Sequence, residues 1–384
     1  MKLVFYSLTL NHHQAPVADA LYNKLGDNFC FVELVECVDR KGGDRDYSSR
    51  PYLLKAWQSN DGYDLAMIYA RSAEVCVFSG VESLPFEIER MKNNRLSFDM
   101  GERILKRGIL NLASPRILKM TSAYFRYNWC NKPLYKLCCS SFAADDLNKL
   151  GMYRGKCYKW GYFTDVEDCD FDSLSIRKSH ASIMWCSRLL TLKHPELAVK
   201  LARNLDLMGY EFTMDIYGDV GSVAHHEKIY PRIKLEKLIE KYKLSSKVVC
   251  RGSIPNSEVL KAMQNHSIFL FTSDKLEGWG AVSNESMANG CVLVASDKIG
   301  SSGYLIDQNI NGLIFRSGSI DSLTKEVKSL LDNEDRLRII QKNAYKTMRD
   351  LWHPEVAASR LLCLIDSIQN GLDTPFVSGP CSKA

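Results

Sequence analysis

Short apolar runs alternate with amphipathic stretches along almost the whole chain. In the first half, Leu3–Leu8, Phe29–Leu34, Leu65–Tyr69, Glu74–Phe78, Arg95–Phe98 and Leu134–Ser140 read as strands, and Val17–Leu25 and Tyr52–Gln58 as helices. The second half repeats the pattern more clearly. Strands are expected at Ala181–Cys186, Phe212–Tyr217, Val248–Arg251, Ser267–Thr272, Cys291–Ala295 and Leu313–Phe315. Helices are expected at Pro195–Met208, Lys234–Lys243, Ser257–Gln264, Ser322–Asp332 and Arg336–Leu351, with another opening near Ala281. Strands that alternate with helices predict parallel sheets covered on both faces. The fold class is therefore α/β, with one domain over 1–165 and a second over 181–351. Between them, 166–180 is rich in Asp, Glu and Ser with little apolar periodicity, and reads as a linker. Two such sheets put a ligand-binding cleft at the carboxyl ends of their strands.

Composition narrows the class without changing this picture. A chain of 384 residues and 43.6 kDa has room for two or three domains and a large core. With 46% apolar and 25% charged residues it is neither a disordered chain nor a disulfide-stapled scaffold. A net charge of +5 does not by itself point to nucleic acid. The 13 cysteines form no CxxC pair, and Cys76, Cys186 and Cys291 lie in apolar runs, so they read as reduced core residues of a cytoplasmic protein. No apolar run reaches the roughly 18 residues that span a bilayer. Met1–Tyr6 reads as a first buried strand rather than a signal peptide, since no small-residue cleavage site follows it.

The segment richest in chemistry runs from His266 to Asp297 as strand, turn, helix and strand, with EGWGAVSNE at the turn. Gly278 and Gly280 flank a turn that opens a helix, and a helix N-terminus can hold a phosphate. Three readings compete: a plain strand–helix turn, a dinucleotide fingerprint, and a nucleotide-sugar site. Gly278-x-Gly280-x-x-Ser283 lacks the third glycine of the fingerprint, although Asp297 follows near the place of a ribose-binding acid. The third reading uses Glu277 and Glu285, two carboxylates eight positions apart that can hold hydroxyl groups on either side of a diphosphate.

This stretch resembles the signature of retaining glycosyltransferase family 4, whose fold is GT-B, two Rossmann-like domains. The resemblance extends along most of the second half. Arg188 and Lys193, five positions apart, resemble the family's arginine-then-lysine loop. Tyr217-Gly218 resembles its strand end, Arg251-Gly252-Ser253-Ile254-Pro255 its base-contacting loop, and Asn309-Ile310-Asn311-Gly312-Leu313-Ile314-Phe315 its NG turn, with Asn309 where the family prefers glycine. The resemblance implies that Arg188 and Lys193 neutralise the diphosphate, that Glu285 binds the ribose, and that Glu277 holds a donor-sugar hydroxyl near the reacting carbon. Gly278, Trp279, Gly280, Ala281, Gly218, Gly252, Ser253 and Ile254 complete the implied donor site, with the backbone at Gly280 and Ala281 capping the phosphate. It also implies that a helix over 352–370, set off by Trp352-His353-Pro354, crosses back to the first domain; 371–384, with its glycines and prolines, reads as a loose tail.

The first domain departs from the family. Asn11-His12-His13-Gln14 stands in place of a glycine-rich loop, which makes His12, His13 and Gln14 acceptor-side candidates for hydrogen bonding or proton transfer. Adjacent histidines in one loop rarely ligate one ion, and no metal site is expected. Glu102-Arg103 resembles a pair found in some members, without an assigned role. Residues 87–136 hold eleven Lys/Arg against four Asp/Glu, with Tyr124, Phe125, Tyr127 and Trp129 interleaved. That pattern suits either a peripheral contact with an anionic membrane on its inner face or a solvated helix face, and no nucleic-acid motif accompanies it. The combined reading is a retaining, metal-independent glycosyltransferase with no resident cofactor. Its UDP- or GDP-sugar donor would serve a saccharide or lipid-linked acceptor in polysaccharide biosynthesis. A sugar-nucleotide epimerase and a non-catalytic binder are the alternatives.

Overall fold

The computed structural model describes residues 1–36, 46–128, 132–166, 170–221 and 227–384. They divide into two units, Met1–Thr164 with Trp352–Ala384, and Asp165–Leu351. The first unit runs β1 (Leu3–Ser7), α1 (Ala15–Leu25), β2 (Phe29–Glu33), β3 (Leu53–Lys55), α2 (Asn60–Ser72) and β4 (Val75–Ser79). It continues through α3 (Leu84–Lys92), β5 (Ser97–Gly101), α4 (Pro115–Tyr127), β6 (Leu134–Cys138), α5 (Ala143–Lys149) and β7 (Cys157–Lys159). All pairings are parallel, in the order β3-β2-β1-β4-β5-β6-β7. β1, β2 and β4 are almost wholly buried because helices cover both faces of the sheet.

The second unit runs α6 (Phe171–Ile176), β8 (Ser179–Cys186), α7 (Pro195–Leu207), β9 (Thr213–Tyr217), α8 (Arg232–Lys241), β10 (Val248–Gly252), α9 (Asn256–Asn265) and β11 (His266–Phe271). It ends with α10 (Val282–Ala288), β12 (Val292–Ser296), α11 (Ser302–Leu305), β13 (Leu313–Phe315), α12 (Ile320–Leu331) and α13 (Glu334–Asp350). Its parallel sheet has the order β10-β9-β8-β11-β12-β13. The winding reverses between β8 and β11, so the loops leaving these two adjacent strands diverge and open a crevice at their carboxyl ends. The core joins Ile183, Trp185, Ile268, Leu270 and Val294 of the sheet to Leu197, Leu201 and Leu205 of α7 and Leu323 and Val327 of α12.

Four expectations are corrected. Tyr52–Gln58 holds β3 rather than a helix, and Leu65–Tyr69 lies inside α2 rather than in a strand. α2 starts where the Ser59 hydroxyl accepts from the Gly62 N–H, and it buries Ala66 and Ala70, four apart. Its exposed Leu65 and Ile68 made a helical segment look like a short apolar strand. The stretch expected as a linker carries α6 and the start of β8; Phe171 and Leu174 of α6 pack on Tyr345 of α13.

The last correction concerns 371–384. A final helix, α14 (Pro354–Gln369), belongs to the first unit and packs on α1. The residues after it fold back onto the edge strand β7 instead of hanging loose. Lys159 N–H donates to the Ser382 carbonyl at 2.7 Å, Cys381 N–H to Lys159 at 2.8 Å, and Ala384 N–H to Cys157 at 3.1 Å. Cys381 is wholly buried, and the Arg360 guanidinium lies 4.6 Å from the centre of the Phe376 ring. An edge strand offers unpaired backbone groups, and here the final residues satisfy them. Glycine and proline marked turns in this segment, not disorder.

Candidate active site

The reversal between β8 and β11 brings together the two sets of residues that carry charge. Cys186 ends β8, and the loop after it carries Arg188 and Lys193; the loop after β11 carries Glu277. Lys193 Nζ donates to Glu277 Oε2 in an ion pair whose side chains are each 12% exposed. The ammonium also lies 5.6 Å from the centre of the Phe271 ring.

Lys193 is held by a buried chain of hydrogen bonds that the sequence did not reveal. The Trp185 Nε1–H donates to Thr272 Oγ1 at 2.9 Å, and that hydroxyl donates to the Lys193 carbonyl at 2.6 Å. The Asp274 N–H donates to Leu192 O at 2.9 Å. β8, β11 and the lysine turn therefore move as one piece.

His194 adds a second tie. It takes a left-handed conformation (φ 49°) just before Pro195, the first residue of α7. Its Nδ1 lies 3.0 Å from Glu196 Oε1 and its Nε2 lies 3.3 Å from Asp274 Oδ2. Hydrogen bonds to Asp274 and then Glu196 raise its pKa to about 9, against the opposing effect of burial. The same contacts hold both carboxyls below their ordinary range. At neutral pH the imidazolium therefore bridges the lysine turn to the loop carrying Glu277. Because its folded pKa is raised, this stabilisation is complete below the ordinary histidine value and fades as pH rises through about 9. The carboxyls act oppositely, and their share fades as pH falls through their lowered values. The expected result is a wild-type Tm advantage over His194→Asn that is present at neutral pH and disappears above about 9. Asparagine tolerates the backbone conformation, so a pH-independent difference in thermal scans would contradict the bridge.

Arg188 stands differently. Its Nη1 and Nη2 donate to the two carboxylate oxygens of Glu227 at 2.9 and 2.8 Å, a bidentate pair. Its side chain is 37% exposed. Any anion that approaches this guanidinium meets it already paired with Glu227, and Glu227 had no signal in the sequence pattern.

Glu285 lies in α10, 8% exposed, and accepts from Asn256 Nδ2 at 3.2 Å. Burial pushes the Cys186 thiol up to about 12; the Glu285 charge adds to that shift and the Lys193 charge opposes it. Glu285 and Lys193 thus act on one point at the end of β8.

The glycines divide by cause. A Cβ on Gly218 (φ +121°) would sit 1.9 Å from the Ser187 carbonyl oxygen, while the Gly218 N–H donates to Gly252 O at 2.7 Å. Only glycine lets the ends of β8, β9 and β10 close together there. A Cβ on Gly280 (φ +80°) would lie 2.4 Å from the Phe271 ring, so packing already demands glycine at this position. Gly278 is buried in the same turn, and Ala281 caps α10. The Trp279 side chain is fully buried, and its Nε1–H donates to Asn284 Oδ1 at 2.8 Å. Ser253 and Ile254 lie in the loop between β10 and α9. The NG turn is structural: Asn309 adopts φ 67°, and Asn311 Nδ2 donates to Leu305 O and Thr347 Oγ1, each at 2.9 Å.

Residues 167–347 match the family model of glycosyl transferases group 1. The match covers just under half the chain and contains every charged residue just described. The chain is 28% identical over 162 residues to a poly(glycerol-phosphate) alpha-glucosyltransferase of Bacillus subtilis, spanning 42% of this chain and 22% of that protein. The fold is GT-B. The Anabaena protein HepE, solved in complex with UDP, superposes with a TM-score of 0.67 at 12% identity, covering 97% of this chain and all of that one. Sucrose-phosphate synthase of Thermosynechococcus elongatus gives 0.68 at 14% identity, with 96% and 99% covered. The solved structures show the fold, and the family match is confined to residues 167–347.

The acceptor-side candidates lie in the first unit, in the loop between β1 and α1, at that sheet's own reversal of winding. His13 stacks on Tyr162 with ring centres 5.9 Å apart. Burial, and then His12, push its pKa down to about 3, so it is neutral at ordinary pH. Gln14 Nε2 donates to Ser7 Oγ at 3.1 Å. His13 Nδ1 and Gln14 Oε1 are buried without a hydrogen-bond partner among the described residues. Arg103 of the Glu102-Arg103 pair binds Asp146 at 3.1 and 3.2 Å, and Glu102 accepts from Lys106 and Tyr162.

Proposed function

We propose that the protein is a retaining glycosyltransferase that moves a sugar from a UDP- or GDP-sugar to a hydroxyl of a saccharide or lipid-linked acceptor. The observation that carries this is the Lys193–Glu277 pair at the β8/β11 reversal, with Glu285 buried beside it. Lys193 meets the charge that grows on the leaving diphosphate, and Arg188 joins it on exchange with Glu227. Glu277 orients the donor sugar through a hydroxyl, and Glu285 holds the ribose. The bond from the anomeric carbon to the diphosphate breaks, with its electron pair leaving on the phosphate. The acceptor oxygen bonds to that carbon on the same face and passes its proton to the phosphate. No step is assigned to a metal or a resident cofactor. The Bacillus relative's name gives support for a surface polymer as acceptor, and HepE with UDP supports a uridine donor. The test is a screen of nucleotide-sugars, read as nucleoside-diphosphate release with NMR of the product. A new glycosidic bond of retained configuration is expected. A sugar-nucleotide isomer with no new bond would make the protein an epimerase, and no turnover with any donor would make it a binder.

We also propose peripheral contact with anionic membrane. No described helix is long and apolar enough to cross a membrane. Within 87–136, Arg90 and Lys136 are buried and serve the fold, and Trp129 lies outside the described residues. What remains exposed is concentrated around α4. Ile109 (73%), Leu110 (80%), Leu118 (49%) and Phe125 (43%) are exposed on the same stretch as Arg116, Lys119 and Arg126. Each basic residue near such a surface contributes about 1 kcal/mol. Sedimentation with anionic vesicles should recover the protein at low salt, and Leu110→Ser with Lys119→Glu should reduce recovery severalfold. Equal recovery on neutral vesicles would contradict the electrostatic part.

A further inference from the structure

The loop after β8 carries two cations, and each meets a carboxylate of this chain. Lys193 pairs with Glu277, and Arg188 with Glu227. The two pairs differ in closure. Both side chains of the lysine pair are 12% exposed, whereas Arg188 is 37% exposed beside a Glu227 that is 12% exposed. The arginine is the open member of its pair and the acid the sheltered one.

Backbone contacts hold the two segments together. The Thr191 N–H donates to Lys228 O at 2.8 Å, the Tyr230 N–H donates to Leu189 O at 2.9 Å, and Leu190 and Ile229 form an antiparallel bridge. Residues 228–230 therefore strap 189–191, with Glu227 preceding one segment and Arg188 the other. A casual surface ion pair orders two long side chains for little gain. Here the backbone at both residues is already fixed, and the contact is bidentate.

A structural arginine pair in the first unit gives the contrast. Arg103 and Asp146 are 14% and 4% exposed, and the Leu105 N–H donates to the same carboxylate at 2.9 Å. That guanidinium is closed to solvent. Arg188 instead keeps an accessible guanidinium beyond the carboxyl end of β8.

Carboxylate and phosphate both fit the guanidinium fork bidentately, so they compete for the same N–H groups. The proposed transfer sharpens that competition. Each phosphate of a nucleotide-sugar carries a single negative charge. Once the sugar has left, the terminal phosphate is a monoester with a second ionisation near about pH 6, and at neutral pH it is close to doubly charged. The product therefore attracts the loop's cations more strongly than the donor does.

We propose that Glu227 is a built-in competitor for Arg188, which retakes the guanidinium after transfer and so weakens retention of the nucleoside diphosphate. The proposal rests on the glycosyltransferase reading and adds to it a residue whose loss strengthens product binding. Glu227 touches no substrate in this role; it acts through Arg188.

The experiment is calorimetric titration of the full chain with UDP and GDP at low salt. It compares wild type, Glu227→Gln, Glu227→Ala, Arg188→Ala, and Arg188→Ala combined with Glu227→Gln, each first shown to be folded by circular dichroism. Glutamine keeps the shape and loses the charge; alanine loses both. Either single Glu227 variant should bind the preferred nucleotide about fivefold more tightly, the upper worth of an exposed ion pair. Without Arg188 the Glu227→Gln change should have no effect, because the contested group is gone. Weaker binding in the Glu227 variants would make this acid a brace that holds Arg188 for the phosphate, and would overturn the proposal. Unchanged affinity would overturn it too. Equal tightening with and without Arg188 would reflect only the loss of a nearby negative charge, and would do the same. Each of these results leaves the glycosyltransferase reading standing. Binding of neither nucleotide to the wild type would instead overturn that reading, and the proposal with it.

Discussion

Lys193→Ala lowers kcat by roughly 10²–10³, the effect of removing one charge-stabilising contact from a transition state. Its ammonium is only 12% exposed and is held through Thr272, so water cannot readily take its place. Arg188→Ala should cost less, because its guanidinium is three times as exposed and is shared with Glu227. The carboxylates should separate by kinetic parameter. In the proposed role Glu285, beside Asn256, holds the ribose and contributes to ground and transition states alike, so Glu285→Gln should mainly raise the donor KM. Glu277→Gln keeps the size but loses the charge that faces Lys193, and should lower kcat more than it raises KM. Steady-state kinetics on the four variants, after circular dichroism shows them folded, check the pattern. Near-normal turnover in Glu277→Gln with loss in Glu285→Gln would reverse the two roles.

Gly218→Ala should be the most disruptive single-methyl change in the second unit. The backbone conformation alone costs roughly 1–3 kcal/mol for a residue with a side chain. The new methyl would also lie 1.9 Å from a backbone oxygen, and no flexible side chain is there to give way. The β9 end must then pull away from Ser187, which displaces the Arg188 loop. Gly221→Ala is the milder comparison: its φ of +59° lies in the left-handed region that side-chain-bearing residues can enter, and its nearest neighbour is Arg188 Cδ at an ordinary 3.7 Å. Calorimetric scans should show a much larger loss of Tm for Gly218→Ala than for Gly221→Ala. Equal losses would mean that neither the close approach nor the φ of +121° makes glycine necessary at 218.

Much of the second unit was legible because its central strands β11 and β12 are fully buried and helices such as α7, α12 and α13 are amphipathic. Both sides of the charge pair could be read as well: Lys193 and Glu277 follow strands, and adjacent strands at a reversal bring their loops together. What could not be read depends on contacts far apart in sequence. His194 meets Asp274 across 80 positions, and Arg188 meets Glu227 across 39. Gly280 looked like a phosphate approach, while the Phe271 ring gives a sufficient packing reason for it. In the first unit, β3 is only three residues long and none of its residues is buried, so the pattern lacked the usual strand signature. The tail was misjudged because turn residues say nothing about whether an open sheet edge lies within reach.

The most direct measurement of the central claim is calorimetric titration of the full chain with UDP and GDP, alongside Lys193→Ala and Glu285→Ala. One of the two nucleotides should bind at a single site, more weakly as salt rises, with affinity reduced in both variants. Binding of neither nucleotide, or binding that both variants leave unchanged, would contradict a donor site built on β8, β11 and α10.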